Sequence, residues 1–512
     1  MFISISDMML TAIVLIGFRI GIVTFYEYLF LNPERENDIL IYGVGPKSVS
    51  LEKRLKTSGT YKVLGFYAYN KKYNEYKLAD LSVFYFTNED DFIKLTRKLN
   101  IFGVLFAERG DILREQDRLL KYCEKNGVKT LFAPPLDELS SLTEKHKIRD
   151  IRIEDLLGRE EISINMDLID KEFRDKTILI TGAAGSIGSE LCRQIAALNI
   201  RQLILFDAAE TPMHDLILEF RAKYPSVNMT PIIGDVRNKP RLQRIFKAFS
   251  PNIVFHAAAY KHVPIMEDNP CEAISTNVIG TKNIADLAIE HNVEKMIMIS
   301  TDKAVNPTNV MGASKRLAEV YVQCLGTSIS NGTITGKTKF VTSRFGNVLG
   351  SNGSVIPLFK KQIQEGGPVT VTDPNIIRYF MTIPEACRLV MEAATLGHGN
   401  DIFVFDMGEP VKIYDLATRM IELSGYKPGE DIKIIFTGLR KGEKLYEELL
   451  TDEESTIDTP HKKIKIAKVR EFEYDQVNKV FDKFQKIIRD DIIDEVISVI
   501  KELVPEYKNN TN

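Results

Sequence analysis

The feature that most constrains this chain is the run Thr177-Ile-Leu-Ile-Thr181-Gly182-Ala-Ala-Gly185-Ser186-Ile187-Gly188. A short apolar strand meets three spaced glycines and then a helix start. Glycines at this spacing permit a tight turn and let backbone approach a pyrophosphate, which rests on free amides at the positive end of the helix. The next strand, Gln202 to Phe206, ends in Asp207, placed to accept ribose hydroxyls and to repel a 2′-phosphate. No Arg follows at once, so NAD is expected rather than NADP. Asp235 and Val236 suit the adenine edge, and Ala257, Ala258 and Ala259, after a further strand, are small enough to lie under a cofactor. Each signal is weak alone; in this order they predict a dinucleotide on a doubly wound parallel sheet.

A second strand–glycine opening, Asp38-Ile-Leu-Ile-Tyr-Gly43-Val-Gly45-Pro-Lys-Ser48, precedes the first, and apolar runs at Val63–Tyr67, Val104–Ala107 and Thr130–Ala133 alternate with helical stretches. The pattern predicts another small Rossmann-like parallel sheet. Here Ser48 replaces the third glycine, and Asn70 stands where an acid would bind ribose. A structural or assembly domain without a catalytic dinucleotide is therefore expected. The domains are read as 1–35, a membrane-associated helix and linker; 36–136, the first Rossmann-like domain; 137–175, a charged connector; and 176–512, the dinucleotide-binding domain with a C-terminal substrate-binding part.

Met8 to Phe30 is almost wholly apolar, with Arg19 in its middle. Its length suits a membrane helix of about 20 residues, and an amphipathic surface helix is the alternative. No basic segment precedes it and no small-residue cleavage site follows, which argues against a cleaved signal. The formal charge of −3, without long basic runs, excludes nucleic acid as an expected partner. Five isolated cysteines fit reduced thiols; neither a disulfide framework nor a metal site is expected.

The remaining signal is Ser300-Thr301-Asp302-Lys303 followed by Met311-Gly-Ala-Ser-Lys315. The run resembles an extended short-chain dehydrogenase/reductase site, where a Tyr and a Lys four apart share one helical face. Lys315 is present, but Met311 holds the Tyr position, and a thioether takes no proton. Neighbouring Asp302 and Lys303 are the expected replacements, the alternative being a surface ion pair after a strand.

From about Thr177 to Leu450 the chain is similar to the membrane-anchored UDP-N-acetylglucosamine 4,6-dehydratases of bacterial polysaccharide and protein glycosylation. The resemblance rests on Ala257-Ala-Ala-Tyr-Lys261-His262-Val-Pro-Ile-Met-Glu267, Ser300 to Lys315, Arg344-Phe-Gly-Asn347-Val, Ile377-Arg378-Tyr-Phe-Met-Thr-Ile-Pro-Glu385 and Arg440-Lys-Gly-Glu443-Lys. It extends to the connector and the first domain. The long form carries several membrane helices, and this chain begins near the last of them. Met311 resembles the subgroup that retains configuration at C5.

The resemblance implies an NAD-dependent oxidation at sugar C4, loss of water across C5 and C6, and regeneration of NAD. It implies Lys303 as the C5 base and Asp302 as the acid for O6 and the acceptor of the C4 proton, through the Thr301 hydroxyl. Lys303 would then have to be partly neutral, its pKa lowered by burial or by Lys315. Lys315 would hold the nicotinamide ribose, with Asn277 and Ser300 in the cofactor pocket. Lys261, His262, Asn347, Arg378 and Arg440 are the expected substrate contacts, the arginines suited to a diphosphate. The implied setting is a homo-oligomer at the cytoplasmic face of the bacterial inner membrane, or cytoplasmic if the N-terminal segment does not insert. Rival readings are a nucleotide-sugar C4 epimerase and an inactive NAD-binding scaffold.

Overall fold

The computed structural model describes residues 18–19, 37–56, 61–68, 76–133, 148–150, 155, 162, 164–397, 399–448, 450, 455–468, 470–490 and 492–508. The expected membrane helix lies outside them except for Phe18 and Arg19. No described helix is long and apolar enough to cross a membrane. The chain divides into two compact units, residues 1–139 with 144–158, and 140–143 with 159–512. The division falls within the stretch expected to connect the domains.

The first unit holds β1 (Asn37–Tyr42), β2 (Tyr61–Tyr67), β3 (Lys77–Leu78), β4 (Leu81–Phe84), β5 (Gly103–Phe106), β6 (Lys129–Phe132) and β7 (Arg149–Asp150), ordered β3-β4-β2-β1-β5-β6-β7. The inner strands run parallel, and the two edge strands are antiparallel to their neighbours. In an open sheet of this kind, ligands sit beyond the carboxyl ends of the strands. Here those ends carry aromatic rings. Tyr42 stacks on Phe106 with centroids 5.0 Å apart, and Tyr67 on Phe86 at 4.2 Å. Tyr42 donates to Glu115 at 2.8 Å, and Arg118 donates to both Glu115 and the Tyr67 hydroxyl. Ser48 turns back to donate to the Tyr42 carbonyl at 3.0 Å; Asn70 lies outside the described residues.

The second unit is built on β8 (Thr177–Thr181), β9 (Gln202–Asp207), β10 (Met229–Ile233), β11 (Ile253–His256), β12 (Lys295–Thr301) and β13 (Lys339–Phe345). They run parallel in the order β10-β9-β8-β11-β12-β13, followed by a parallel strand, Asp401–Phe405, and then by antiparallel Ile464–Lys468 and Ser455–Asp458. Every residue of β8 and β11 is buried, as strands covered by helices on both faces require. The connections leave β8 toward β9 on one side and β11 on the other. Their divergence opens the crevice that holds the site. The Met166–Phe173 helix, inside the expected connector, packs Ile169 and Phe173 into this unit's core.

Candidate functional site

The glycine loop is closed by contacts that admit no side chain. Gly182 has φ +68°, and a Cβ there would lie 2.6 Å from the Ala258 amide nitrogen. At Gly188 a Cβ would lie 2.0 Å from the Gly182 carbonyl oxygen. Backbone is thus pressed against backbone, and the Ser186–Ala196 helix begins at Gly185. Ser186 is held in place through its hydroxyl, which accepts from the Asn352 amide at 3.2 Å. Asp207 ends β9 with Oδ2 accepting from the Ala184 amide of the loop at 2.9 Å and Oδ1 accepting from Ala209 at 2.8 Å. The carboxylate is aimed before any ligand arrives, and this cradle fits a dinucleotide. Asp235 lies in a bidentate pair with Arg237, which lowers its pKa, and Val236 is buried at the start of the following turn.

Behind the loop runs a chain of hydrogen bonds with a fixed direction. The Thr281 hydroxyl donates to the Asn277 carbonyl at 2.6 Å, so it accepts from His256 Nε2 at 2.9 Å; Nδ1 then accepts from Thr181 at 2.7 Å. Burial and the Lys315 charge hold the His256 pKa down at about 3, so the imidazole stays neutral. Asn277 accepts from the Tyr260 amide at 2.8 Å and donates to the Tyr260 carbonyl and to Ser314 at 3.0 and 2.9 Å. It therefore shapes the pocket by holding the loop after β11 against the long helix that carries Ser314.

That helix, Val310–Ser330, is almost wholly buried, and Asn309 caps it by accepting from the Gly312 amide at 2.7 Å. Met311 and Lys315 fall on one face and both line a cavity of about 390 Å³. Met311 also packs with Met266, Ala273 and Val310, as an apolar filler should. Burial depresses the Lys315 ammonium to about 8, offset in part by Glu319.

β12 ends at Thr301, whose hydroxyl caps the tight turn of Asp302–Ala304. Thr301 and Lys303 line the cavity, whereas Asp302 is fully buried beneath it. Asp302 Oδ1 accepts from Thr301 Oγ1 at 2.8 Å and from Lys303 Nζ at 3.0 Å; Oδ2 has no partner among the described residues. Lys303 corrects an expectation. Burial pulls its pKa down, but Asp302 and Glu447 outweigh it, and the pKa is raised above the ordinary lysine value. Lys315 does not neutralise it. Lys303 rests as an ammonium that also donates to Asn347 Oδ1 at 3.1 Å.

Lys261 and His262 are exposed at the cavity wall, with the His262 ring against Gly353. Arg440 also lines it and is exposed. Arg378 lines the cavity too, but its terminal nitrogens are engaged. Nη1 donates to the Ile377 and Leu445 carbonyls, and Nη2 to the Lys444 carbonyl at 2.7 Å and to Glu443 at 3.3 Å. It straps the Arg440–Glu448 segment to the site. Sequence reasoning missed Glu447, only 3.7 Å from Lys303, because nothing local separates it from its acidic neighbours. It also missed the pair formed by Glu319 and Arg344. Ala257, Ala259, Ser300 and Ile187 line the cavity, joining its floor to the glycine loop, while Ala258 lies behind.

A doubly wound sheet with this glycine loop, and a buried helix presenting Lys315 over the crevice, define a short-chain dehydrogenase/reductase fold. Pen from Bacillus thuringiensis, a solved structure 34% identical to the chain, superposes with a TM-score of 0.53 over 61% of this chain and 98% of Pen. Residues 178–469 match the family of polysaccharide biosynthesis proteins, and the chain belongs to that family. The capsular polysaccharide biosynthesis protein CapD of Staphylococcus aureus is 48% identical over 74% of this chain. The match spans 63% of CapD, less than two thirds of that relative's length. The probable polysaccharide biosynthesis protein EpsC of Bacillus subtilis (strain 168) is 41% identical over 88% of this chain and 75% of its own.

Proposed function

We propose that this chain is an NAD-dependent nucleotide-sugar 4,6-dehydratase. Its substrate is UDP-N-acetylglucosamine, and its product is the 4-keto-6-deoxy sugar UDP-2-acetamido-2,6-dideoxy-alpha-D-xylo-hex-4-ulose. It serves bacterial surface polysaccharide or protein glycosylation from the cytoplasmic face of the membrane. The observation that carries this reading is the Asp302–Lys303 pair, 3.0 Å apart beneath one cavity in which Met311 replaces the usual proton carrier.

NAD, when bound, would accept the hydride from C4 of the sugar and give it back at C6, so that the 4-ketone is kept and no net oxidant is consumed. Asp207 takes the adenine ribose and Lys315 the nicotinamide ribose. Asp302 is sealed from the cavity, so Thr301, which lines it and donates to Asp302, carries the C4 hydroxyl proton inward. The ketone acidifies C5, and Lys303, once neutral, removes that proton. Asp302 returns its proton through Thr301 to the departing O6, and Lys303 gives C5 its proton back on the original face. General acid–base groups of this kind contribute about 10²–10⁴-fold each. Lys261, His262, Asn347 and Arg440, which line the cavity, face the nucleotide sugar, and Arg378 braces the segment carrying Arg440.

The test is incubation with UDP-N-acetylglucosamine and NAD. Mass spectrometry should register loss of one water, and proton NMR should assign the xylo configuration. An isomer of unchanged mass would instead mark a C4 epimerase, and an arabino product would overturn the C5-retaining assignment. No conversion, with NAD bound, would mark a scaffold.

A further inference from the structure

The proposed chemistry needs a neutral Lys303, yet the site holds it as an ammonium. The proton must go somewhere. Asp302 is nearest, but a proton placed there would fill the carboxylate that has to accept the one from the C4 hydroxyl. A second carboxylate is in reach. Glu447 is 8% exposed, with Oε1 3.7 Å from Lys303 Nζ and 3.8 Å from Arg378 Nε. Its Oε2 is buried and has no hydrogen-bond partner among the described residues. Lys444 holds the segment in place by donating to the Val305 carbonyl at 3.0 Å, just beyond the turn that carries Lys303.

We infer that Glu447 is a positioning residue that stores the Lys303 proton during catalysis. The inference rests on the dehydratase reading. An N–H bond of the ammonium breaks and an O–H bond forms on Glu447; both groups become neutral, and Asp302 stays ionised. The charged groups facing Lys303 are Asp302, Glu447 and Arg378, and Glu443 faces Arg378 from the other side at 3.3 Å. Two cations and two anions, counting Lys303, Arg378, Asp302 and Glu447, sum to zero. After the transfer one of each remains and the sum is still zero; the Asp302 carboxylate, which loses Lys303 as its cation, keeps the Thr301 hydrogen bond and is the more ready to accept the C4 proton. The 3.7 Å gap exceeds a hydrogen bond, and such catalytic contacts tighten when substrate binds.

The consequence is a pH profile. With Glu447 present, the reactive arrangement holds the same number of protons as the resting one, so its population does not change with pH around neutrality. In Glu447→Gln the proton must leave for solvent, and turnover below the Lys303 pKa should climb roughly tenfold per pH unit. Glu447→Asp keeps an acceptor and should restore the flat profile at lower kcat. A Glu447→Gln profile that is merely lowered, with its shape unchanged, would overturn the inference. So would a wild-type profile that already climbs tenfold per unit through neutrality, which needs no variant to be stable. Competitive acetylation of lysines, read by peptide mass spectrometry, titrates Lys303 without turnover. Lys303 should titrate at lower pH in Glu447→Gln than in the wild type, and identical titrations would refute the coupling. That result stands even if no nucleotide sugar is dehydrated, so failure of the dehydratase reading and failure of this inference are told apart.

Discussion

Lys303 Nζ lies 3.0 Å from Asp302 Oδ1, and the two side chains come from adjacent residues in a single tight turn. Adjacent side chains ordinarily diverge; this turn brings them to one floor. Lys303→Ala and Asp302→Asn should each lower turnover by about 10²–10⁴-fold while NAD stays bound. Met311→Leu should cost far less, because Met311 fills space. Turnover assays alongside the ultraviolet spectrum of bound nucleotide separate the two effects. Loss of NAD in either Asp302 or Lys303 variant would show that the pair supports the fold of the cofactor site instead.

Lys315 makes a pH prediction. Its folded pKa of about 8 lies below the ordinary 10.5, so folding disfavours the charged form. The cost is fully present below pH 8 and is relieved as pH rises toward 10.5, reaching about 3 kcal/mol for a shift of this size. Lys315→Met should therefore raise the melting temperature of the NAD-free protein at pH 7, with the advantage fading above pH 9. It should at the same time weaken NAD binding. Equal melting temperatures at pH 7 would contradict the assignment.

Glu319 and Arg344 form a fully buried two-point pair, Nε to Oε1 at 2.8 Å and Nη2 to Oε2 at 2.7 Å. Burial alone would raise the Glu319 pKa, but Arg344 and Arg316 hold it at about 2. Its stabilisation is present above pH 4.5 and is lost as pH falls toward 2. Arg344→Met strands the carboxylate and should cost about 3–5 kcal/mol. Urea unfolding at pH 7 measures it, and a loss under 1 kcal/mol would show that Arg316 suffices.

Two glycines should separate cofactor binding from chemistry. A Cβ at Gly188 would meet the Gly182 carbonyl at 2.0 Å, and one at Gly312 would meet the Lys303 carbonyl at 2.1 Å. Gly188→Ala should weaken NAD binding by opening the loop. Gly312→Ala should push the turn bearing Asp302 and Lys303 off the helix, so turnover falls while NAD affinity is largely kept. Calorimetric NAD titration and initial rates on both variants check this pairing; the opposite pattern would refute it.

Much of the second unit was legible along the chain. The order of strand, spaced glycines and acid at the end of β9 depends on backbone sterics and short-range alternation, which the stretch from Thr177 to Asp207 encodes. Helical period likewise put Met311 beside Lys315. The first unit was legible only in part: its strands and glycine turn could be read along the chain, but the rings of Tyr42, Tyr67 and Phe106 meet only when three strands pair. Ionisation was least legible. Lys303 reads as a base in need of a lowered pKa, and Asp302 beside it, joined by Glu447 from a distant segment, raises it instead. Arg378 reads as a phosphate ligand and is drawn to backbone carbonyls that folding brings beside it. Local geometry is written in neighbouring residues; burial and long-range charge exist only once the chain has folded.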